Sequence, residues 1–208
     1  MTETARRYSG QSPDERDAER TRRLLAAGRE LFGTIGYAAT SVERLCTEAK
    51  VSTRHFYQLY DNKEAAFLGV YEEITGQSFE RALAALAGST DRPMLERVPD
   101  AFMAYLGPMV EDIRAAKIAF VEIMGASPRI EERRLAYRES LIELIEHEGS
   151  AAVARGEAPD RDWRFATLAL SGAANAIVYD WTTRPGLRDD VASLERDLAE
   201  LAITLLVR

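Results

Sequence analysis

The polar side chains with the clearest chemistry lie between Ser52 and Tyr60, where the sequence reads S-T-R-H-F-Y-Q-L-Y. Ser52 can cap a helix, and the apolar residues after it recur at spacings of three and four, which is typical of a buried helix face. The other faces of this helix would present Thr53, Arg54, His55, Tyr57 and Gln58. Such a helix suits the major groove of DNA, where Arg pairs bidentately with guanine and Thr contacts the thymine methyl group. Arg54 is therefore the leading candidate for reading a base.

A second short helix is predicted directly upstream, over the residues T-S-V-E-R-L-C-T-E-A that begin at Thr40. Thr40 can cap its N-terminus, and Glu43 three residues later can complete a capping box. The apolar positions that share one face of this helix are Val42, Leu45, Cys46 and Ala49. Two short amphipathic helices joined by a tight turn indicate a helix-turn-helix, which makes double-stranded DNA the leading partner.

The stretch from Thr40 to Glu64 resembles the DNA-binding domain of TetR-family transcriptional regulators, and its flanks agree in register. Upstream, R-R-L-L-A-A-G-R-E-L-F-G-T-I-G-Y is similar to the first helix of that family. The inward stripe of this first helix would consist of Leu24, Leu31, Phe32 and Ile35. Downstream, D-N-K-E-A-A-F is similar to the start of the fourth helix, which Asp61 can cap.

The resemblance also implies which side chains contact DNA. Phosphate contacts are expected from Thr40 or Ser41, from Tyr57 and from Lys63. Contacts to bases or backbone are expected from Thr53, Arg54, His55 and Gln58. Backbone contacts would position the helix, and base contacts would specify the sequence.

Two residues depart from the family pattern. Lys50 stands in the turn where the family commonly has Gly, and a left-handed conformation there would cost a non-glycine residue roughly 1 to 2 kcal/mol. Cys46 stands where Ala is usual, and a small buried thiol can replace a methyl group.

The charge of the chain is divided unevenly along its length. The whole chain carries a net charge of −7, but residues 1–63 hold eleven Lys or Arg against nine Asp or Glu, and the rest holds 16 against 25. Because the N-terminal part is only weakly basic, attraction to phosphate must come from a local patch, which we expect to include Arg22, Arg23 and Lys63.

The composition argues against several classes of protein. The single Cys excludes an intramolecular disulfide, and with two His residues there is no clustered pattern of metal ligands, so we expect no metal and no cofactor. Neither a nucleophile elbow nor a phosphate-binding loop is present, so we expect no catalytic residues and no enzyme activity. The sequence has no uninterrupted apolar span of about 20 residues and no secretory signal, which predicts a cytoplasmic protein that does not enter membranes.

The hydrophobic pattern beyond residue 64 is helical, so the expected fold class is all-α: an N-terminal three-helix helix-turn-helix domain and a larger C-terminal helical domain. We expect a disordered tail at residues 1–16, the DNA-binding domain at 17–63, and an effector-binding and dimerisation domain at 64–208. Gly107-Pro108 is expected to end a helix.

The middle of the larger domain is rich in Met and aromatic residues, which suit an adaptable apolar cavity with a few polar groups. Any one of them could simply pack in the core, so the prediction rests on the set. The predicted effector-binding residues are Tyr71, Phe102, Met103, Tyr105, Met109, Phe120, Glu122, Met124 and Asn175.

The last two helices carry a different pattern, with small residues in the first and a narrow apolar seam in the second. This pattern favours a homodimer through a four-helix bundle, as the resemblance also implies, although both helices could instead close the core of one protomer. The predicted interface residues are Ala173, Ala174, Ile177, Trp181, Leu194, Leu198, Leu201 and Leu205.

The resulting hypothesis is a ligand-responsive repressor that binds a palindromic operator as a homodimer and is released by a small, mainly hydrophobic effector. The alternative is a helical interaction module that has lost sequence-specific DNA readout. The sign of regulation, the operator and the identity of the effector do not follow from the residues.

Overall fold

Local capping sets the helix boundaries. In the computed structural model, which describes residues 12–184, 186 and 190–207, eight of the nine described α-helices begin at a Ser, Asn or Asp whose side chain accepts a backbone N–H of the first turn. Such caps satisfy donors that have no partner inside the helix. The described part of the chain contains no strand, which confirms the all-α prediction.

The N-terminal head contains three helices, and α4 extends from it into the larger body. The head helices are α1 (Pro13–Thr34), α2 (Val42–Ala49) and α3 (Thr53–Leu59). The helices of the body are α4 (Lys63–Ala87), α5 (Met94–Val110), α6 (Ile113–Lys117), α7 (Pro128–Ala154), α8 (Trp163–Thr183) and α9 (Val191–Leu206). A π-helical turn (Ile118–Glu122) follows α6 directly.

The structure corrects the boundary of the predicted tail and two predicted caps. Ser12 and Glu15 form a complete capping box, so α1 begins at Pro13 and the predicted tail at 1–16 is too long by four residues; residues 1–11 lie outside the described part. The cap of α2 is Ser41 and not Thr40, and the cap of α4 is Asn62 and not Asp61. At both of these caps the neighbouring residue also has a suitable side chain, and only the backbone conformation decides between them.

Aromatic packing joins the head to α4. Phe32, Phe56 and Phe67 are fully buried, and the Phe67 ring lies 5.1 Å from that of Phe32 and 4.9 Å from that of Tyr37, edge on in both cases. Three of the four residues predicted to face inward on α1, namely Leu24, Leu31 and Phe32, are buried or partly buried. Ile35 is the exception, because it caps the C-terminus of α1 and is 43% exposed.

Gly107-Pro108 does not end a helix, contrary to the prediction. Helix α5 runs through both Pro99 and Pro108 to Val110. Proline removes a backbone donor, but the buried residues Leu106 and Met109 around it hold α5 against α4 and α9, so tertiary packing outweighs the local signal.

The last two helices close the core of the protomer. Helix α9 packs on α5 and α8, and its buried side chains are Leu194, Leu198, Ala202 and Leu206. No helix in the described ranges is both long and apolar enough to cross a membrane.

Candidate nucleic-acid interface and effector cavity

Helix α3 presents a polar face to solvent. Phe56 is completely buried and anchors the helix. The exposed side chains of α3 are Thr53, Arg54, Tyr57 and Gln58. His55 is half-buried, and its Nδ1 lies 2.9 Å from Oγ of the capping Ser52, so it also holds the start of α3. The four exposed residues are placed as a groove-reading helix requires, and their contacts with DNA stay predictions.

The free positive charges around the helix-turn-helix differ from those predicted. Arg44, Lys50 and Arg54 are exposed, and none makes an ion pair with the described part of the chain. In contrast, Arg22 and Arg23 both pair with Glu19 one turn away. Pairing at these spacings neutralises the predicted patch in part.

Arg44 was not among the predicted DNA contacts, because it lies in the first turn of α2, where a charged residue usually only faces solvent. Within the described part of the chain, its guanidinium makes only a long 3.4 Å hydrogen bond, to the carbonyl oxygen of Ala39. It lies in the first turn of α2, where the helix N-terminus also favours a phosphate and the adjacent Glu43 opposes one.

Contrary to the prediction, the side chain of Thr40 is not available to contact DNA. Its side chain is 2% exposed and donates a hydrogen bond of 2.7 Å to the carbonyl oxygen of Gly36. It therefore braces the loop before α2. Ser41 is half-buried at the cap, where its Oγ accepts the N–H of Arg44 at 3.3 Å.

Lys63 also has a structural partner. Its Nζ donates to the carbonyl oxygen of Tyr37 at 2.8 Å and lies 4.2 Å from the centroid of the Tyr37 ring. These contacts tie the first residue of α4 to the loop between α1 and α2. An ammonium has three donors, so the predicted phosphate contact remains open to Lys63 as a second role.

The turn between α2 and α3 has the strained conformation that the sequence suggested. Lys50 has φ 53° and ψ 44°, and it is the only non-glycine residue with positive φ in the described ranges. Its N–H donates to the carbonyl oxygens of Cys46 and Thr47. The burial of Cys46 raises the pKa of its thiol, which fits an inert structural role.

We expect the substitution Lys50→Gly to stabilise the protein by about 1 kcal/mol, because glycine adopts the left-handed conformation without a steric cost. Urea unfolding followed by circular dichroism measures this change. Lys50→Ala is the matched control, since it removes the same charge but keeps the strained Cβ. Equal stabilities of the two variants would contradict the strain explanation.

A cavity of about 80 Å³ lies among α4, α5, α7, α8 and the π-helical turn. Seven of the nine predicted effector-binding residues line it: Tyr71, Phe102, Tyr105, Met109, Phe120, Met124 and Asn175. The volume corresponds to a few water molecules. An effector of ordinary size must therefore displace side chains, and the 56% exposed Met124 at the rim is free to move.

Two of the nine predicted residues do not line this cavity. Met103 faces a groove between α5 and α9. Glu122 points away from the cavity toward the head, where its carboxylate accepts the backbone N–H of Tyr37 at 2.7 Å. Glu122 was predicted to bind the effector, and its hydrogen-bond partner is the head instead.

Residues on α7 and α8 complete the polar lining of the cavity. Arg134, Tyr137 and Arg138 come from α7, and Ser171 lies one turn before Asn175 on α8. Tyr137, Arg138 and Leu141 follow Arg134 by three, four and seven residues, so all four lie on one face of α7. This spacing is visible in the sequence. It was missed because arginines on a long helix are usually solvated.

Two buried phenols of the cavity, Tyr71 and Tyr105, are neutral at physiological pH. Burial raises the pKa of Tyr105 to about 12 and also raises the pKa of Tyr71. Neither hydroxyl has a hydrogen-bond partner in the described part of the chain. Both are therefore available as donors to a ligand.

The segment that lines the cavity also contacts the head. Arg114 on α6 pairs with Glu30 of α1 at 2.5 Å, and Lys117 donates to the carbonyl oxygen of Thr34 at 3.4 Å. A Cβ on Gly33 would collide with the backbone of Arg114, so α1 and α6 are in close contact. With Glu122, these residues form a head–body junction only a few residues from Phe120 in the cavity.

The predicted dimer contacts divide into two groups. Ala174, Trp181, Leu194 and Leu198 are buried in the protomer itself, which corrects the prediction for these four. The partly exposed members of the predicted set are Ala173, Ile177, Leu201 and Leu205. The apolar seam of α9 was assigned to a second copy of the chain, but it packs mainly inside the protomer. Helical spacing identifies an apolar face without showing what covers it.

An uncovered apolar stripe does lie on the outer face of α8. Its members, at spacings of three and four, are Phe165, Leu168, Gly172, Ala176 and Tyr179, and Phe165 is 71% exposed. This pattern of large apolar residues around Gly and Ala allows close helix approach, and apolar exposure of this kind often marks an interface.

Comparison with known proteins identifies the head. Residues 24–70 match the sequence model of the bacterial regulatory proteins of the tetR family. This segment extends from α1 into α4 and includes the whole helix-turn-helix. No curated protein matches the chain in sequence.

Solved structures share the fold over nearly the whole chain. The fatty acid degradation regulator FadR from Bacillus halodurans is 16% identical, with a TM-score of 0.78 over 94% of this chain and 97% of that one. FadR from Bacillus subtilis, solved in complex with stearoyl-CoA, is 18% identical, with a TM-score of 0.76 over 89% and 97% of the two chains. NalD, the secondary repressor of the MexAB-OprM multidrug efflux pump in Pseudomonas aeruginosa, is 24% identical, with a TM-score of 0.70 over 92% and 98%.

Proposed function

We propose that this chain, a TetR-family transcriptional regulator by its helix-turn-helix domain and its fold, is a repressor that binds a palindromic operator as a homodimer and is released by a small, mainly apolar effector. The observation that carries the proposal is the exposed face of α3 with its unpaired Arg54, in a segment that matches the tetR family. Within this framework Arg54 reads a base, and Arg44 and Tyr57 contact phosphates.

The position of the cavity supports control by an effector. Helix α4 begins in the head at Lys63 and carries Tyr71 into the cavity two turns later. The segment from α6 through the π-helical turn lines the cavity with Phe120 and holds the head with Glu122. A ligand that displaces Phe120 would therefore shift the contact at Tyr37. A coupling free energy of about 1 to 3 kcal/mol is typical of such systems.

The relatives also support an apolar effector. The FadR protein of Bacillus subtilis was solved with stearoyl-CoA, and this chain shares its fold. The cavity of this chain is lined by aromatic and Met side chains such as Phe102 and Met109, which accept an apolar ligand.

The stripe on α8 supports a homodimer. Two copies of α8 and α9 could pair across a two-fold axis and place two α3 helices on successive half-sites about 34 to 36 Å apart. Of the residues predicted from the sequence, Ala173 and Ile177 lie beside this stripe and remain proposed interface residues.

We expect Gly172→Arg to convert the dimer to a monomer. No atom of the described residues lies within 4 Å of a Cβ at Gly172, so the substitution should leave the fold of the protomer intact while it places a long charged side chain inside the proposed interface. Sedimentation velocity measures the mass, and Gly172→Ala is the control that keeps the close approach. A dimer that persists in Gly172→Arg would move the interface elsewhere.

DNA binding is tested by selecting sites from a random double-stranded oligonucleotide pool with the full chain. We expect a palindromic consensus, with an affinity for the enriched site well above that for a scrambled site and falling steeply with salt. A reporter with this site across its promoter should then be repressed. Failure to enrich any sequence would favour the alternative, a helical interaction module without specific DNA readout.

The junction makes a prediction of its own. Removing the carboxylate with Glu122→Ala should increase hydrogen exchange of the Tyr37 amide by roughly 10- to 100-fold, because a hydrogen bond to a charged acceptor contributes about 1.5 to 3 kcal/mol. Exchange followed by NMR measures this rate. Glu122→Gln keeps an acceptor, so its exchange rate should lie between those of the unchanged protein and Glu122→Ala. Glu132 is exposed on α7, and Glu132→Ala should leave the rate unchanged.

A further inference from the structure

The charges around the cavity are of one sign. Among the described residues that line it are two arginines and no Asp or Glu. Arg134 is already compensated, because it makes two hydrogen bonds of 2.6 and 2.8 Å to Glu131. Arg138 makes no ion pair within the described ranges, and its Nε is buried without a hydrogen-bond partner.

The two carboxylates that interact electrostatically with Arg138, those of Glu131 and Glu139, have other partners. Glu131 is held by Arg134, and Glu139 is held by Arg164 at 2.5 and 2.9 Å. The positive charge of Arg138 is therefore only partly balanced by its surroundings. A partly buried, unpaired guanidinium is costly and favours an anion as its missing partner.

Further unsatisfied donors border the same cavity. The Oγ of Ser171 is buried without a partner, and the side chain of Asn175, one turn further along α8, makes no hydrogen bond with the described residues. The hydroxyls of Tyr71 and Tyr105 are also free. A carboxylate accepts about four hydrogen bonds, including a bidentate pair from Arg, so it matches this set of donors.

A second cavity of about 60 Å³ lies directly beside the first and is almost entirely apolar. Phe102, Tyr105 and Leu141 line both cavities and form the partition between them. The second cavity continues between α4, α5 and α7 to the end of α9, where its apolar lining includes Leu86, Met94, Ala101, Ile145 and Leu206. Its one charged lining residue, Glu148, faces Arg97 at 3.8 Å.

We propose that the effector is an elongated monocarboxylic acid whose carboxylate binds Arg138 and Ser171 and whose apolar tail passes the Phe102–Tyr105–Leu141 partition into the second cavity. This proposal rests on the proposed function and names the chemical class of its effector. Rotation of the partition side chains joins a polar space and an apolar space into one channel. That division between a charged head site and an apolar tail site excludes a purely hydrophobic molecule as the best ligand.

The head site is tested by titration calorimetry of the full chain with decanoate and with decanol. We expect decanoate to bind at least tenfold more tightly than decanol, and Arg138→Gln to weaken decanoate by roughly 10- to 100-fold while leaving decanol unchanged. Arg129→Gln, on the exposed side of α7, is the matched control. Equal binding of acid and alcohol, or no effect of Arg138→Gln, would overturn the proposal.

The tail site is tested by chain length. Decanoate should bind at least tenfold more tightly than hexanoate, because each buried methylene contributes about 0.8 kcal/mol. Ala101 lines only the second cavity, so Ala101→Leu should remove this gain and leave hexanoate binding unchanged. A gain that survives Ala101→Leu would contradict the assigned path of the tail. Thermal unfolding of each variant without ligand separates local effects from loss of the fold.

The proposed effector class and the proposed repressor function can be contradicted separately. If specific DNA binding is found but no acid of the series binds, the effector class is wrong and the regulator remains. If decanoate binds but no DNA sequence is enriched, the proposed repressor function is wrong. Release of the selected site by decanoate, measured by fluorescence anisotropy and abolished in Arg138→Gln, is the result expected when both are correct.

Discussion

Arg54→Ala is expected to remove most of the sequence specificity of DNA binding. A bidentate pair between Arg and guanine contributes about 1 to 3 kcal/mol of discrimination, so two half-sites of a dimer would lose about 2 to 6 kcal/mol. Arg54 is exposed and makes no ion pair or side-chain hydrogen bond within the described ranges, so the substitution removes no polar interaction of the folded chain. Fluorescence anisotropy with the selected site and with a scrambled site measures the change.

Arg44→Ala is the control variant for Arg54→Ala, because it separates a loss of phosphate contact from a loss of base reading. It removes the same charge from the same head, but at the N-terminus of α2, where we expect a phosphate contact. Binding to selected and scrambled DNA should weaken equally, with a smaller dependence on salt. If Arg54→Ala behaves in the same way as Arg44→Ala, then Arg54 contacts only the backbone.

Phe67→Ala is expected to lower the free energy of unfolding by about 3 to 5 kcal/mol, since it removes a fully buried aromatic side chain and leaves a cavity. Phe67 lies on α4 but packs against Phe32 of α1 and Tyr37 of the following loop. The loss therefore falls on the packing that joins the head to α4. Urea unfolding followed by circular dichroism gives the free energy, and DNA binding should decline with the folded fraction.

Leu83→Ala is the matched control for Phe67→Ala. Leu83 lies on the same helix but is 50% exposed, so its truncation should cost less than about 1 kcal/mol. Phe67→Leu, which keeps most of the volume, should fall between the two. A loss of similar size in Leu83→Ala would show that α4 responds to any truncation and not to this aromatic contact.

Residues that act through local geometry could be identified from the sequence. The two short helices and the outward face of α3 follow from spacing and capping over a few residues. The left-handed turn at Lys50 was suggested by the resemblance to a family that commonly has Gly at this position. Seven of the nine predicted effector-binding residues do line the cavity, because soft and aromatic side chains suit an adaptable apolar site. The choice between adjacent caps such as Thr40 and Ser41 was not accessible, since both have the required hydroxyl.

Residues that act through distant partners could not be identified in the same way. Glu122 and Tyr37 are 85 positions apart, and no periodicity connects them. Arg138 had the pattern of an ordinary surface arginine, and only the folded chain shows that its Nε is buried beside Ser171. For α9, the apolar seam was correct but its partner was not, because Leu194 and Leu198 pack inside the protomer.

The sequence by itself determined the helical class, the helix-turn-helix and the side of α3 that faces solvent, because capping and amphipathic spacing act over one or two turns. The tertiary structure decided which charges remain free, which apolar face is left uncovered and which polar groups border the cavity. These properties depend on what packs against each helix, and that is set by residues far away in the chain. Arg54 belongs to the first group, whereas Glu122 and Arg138 belong to the second.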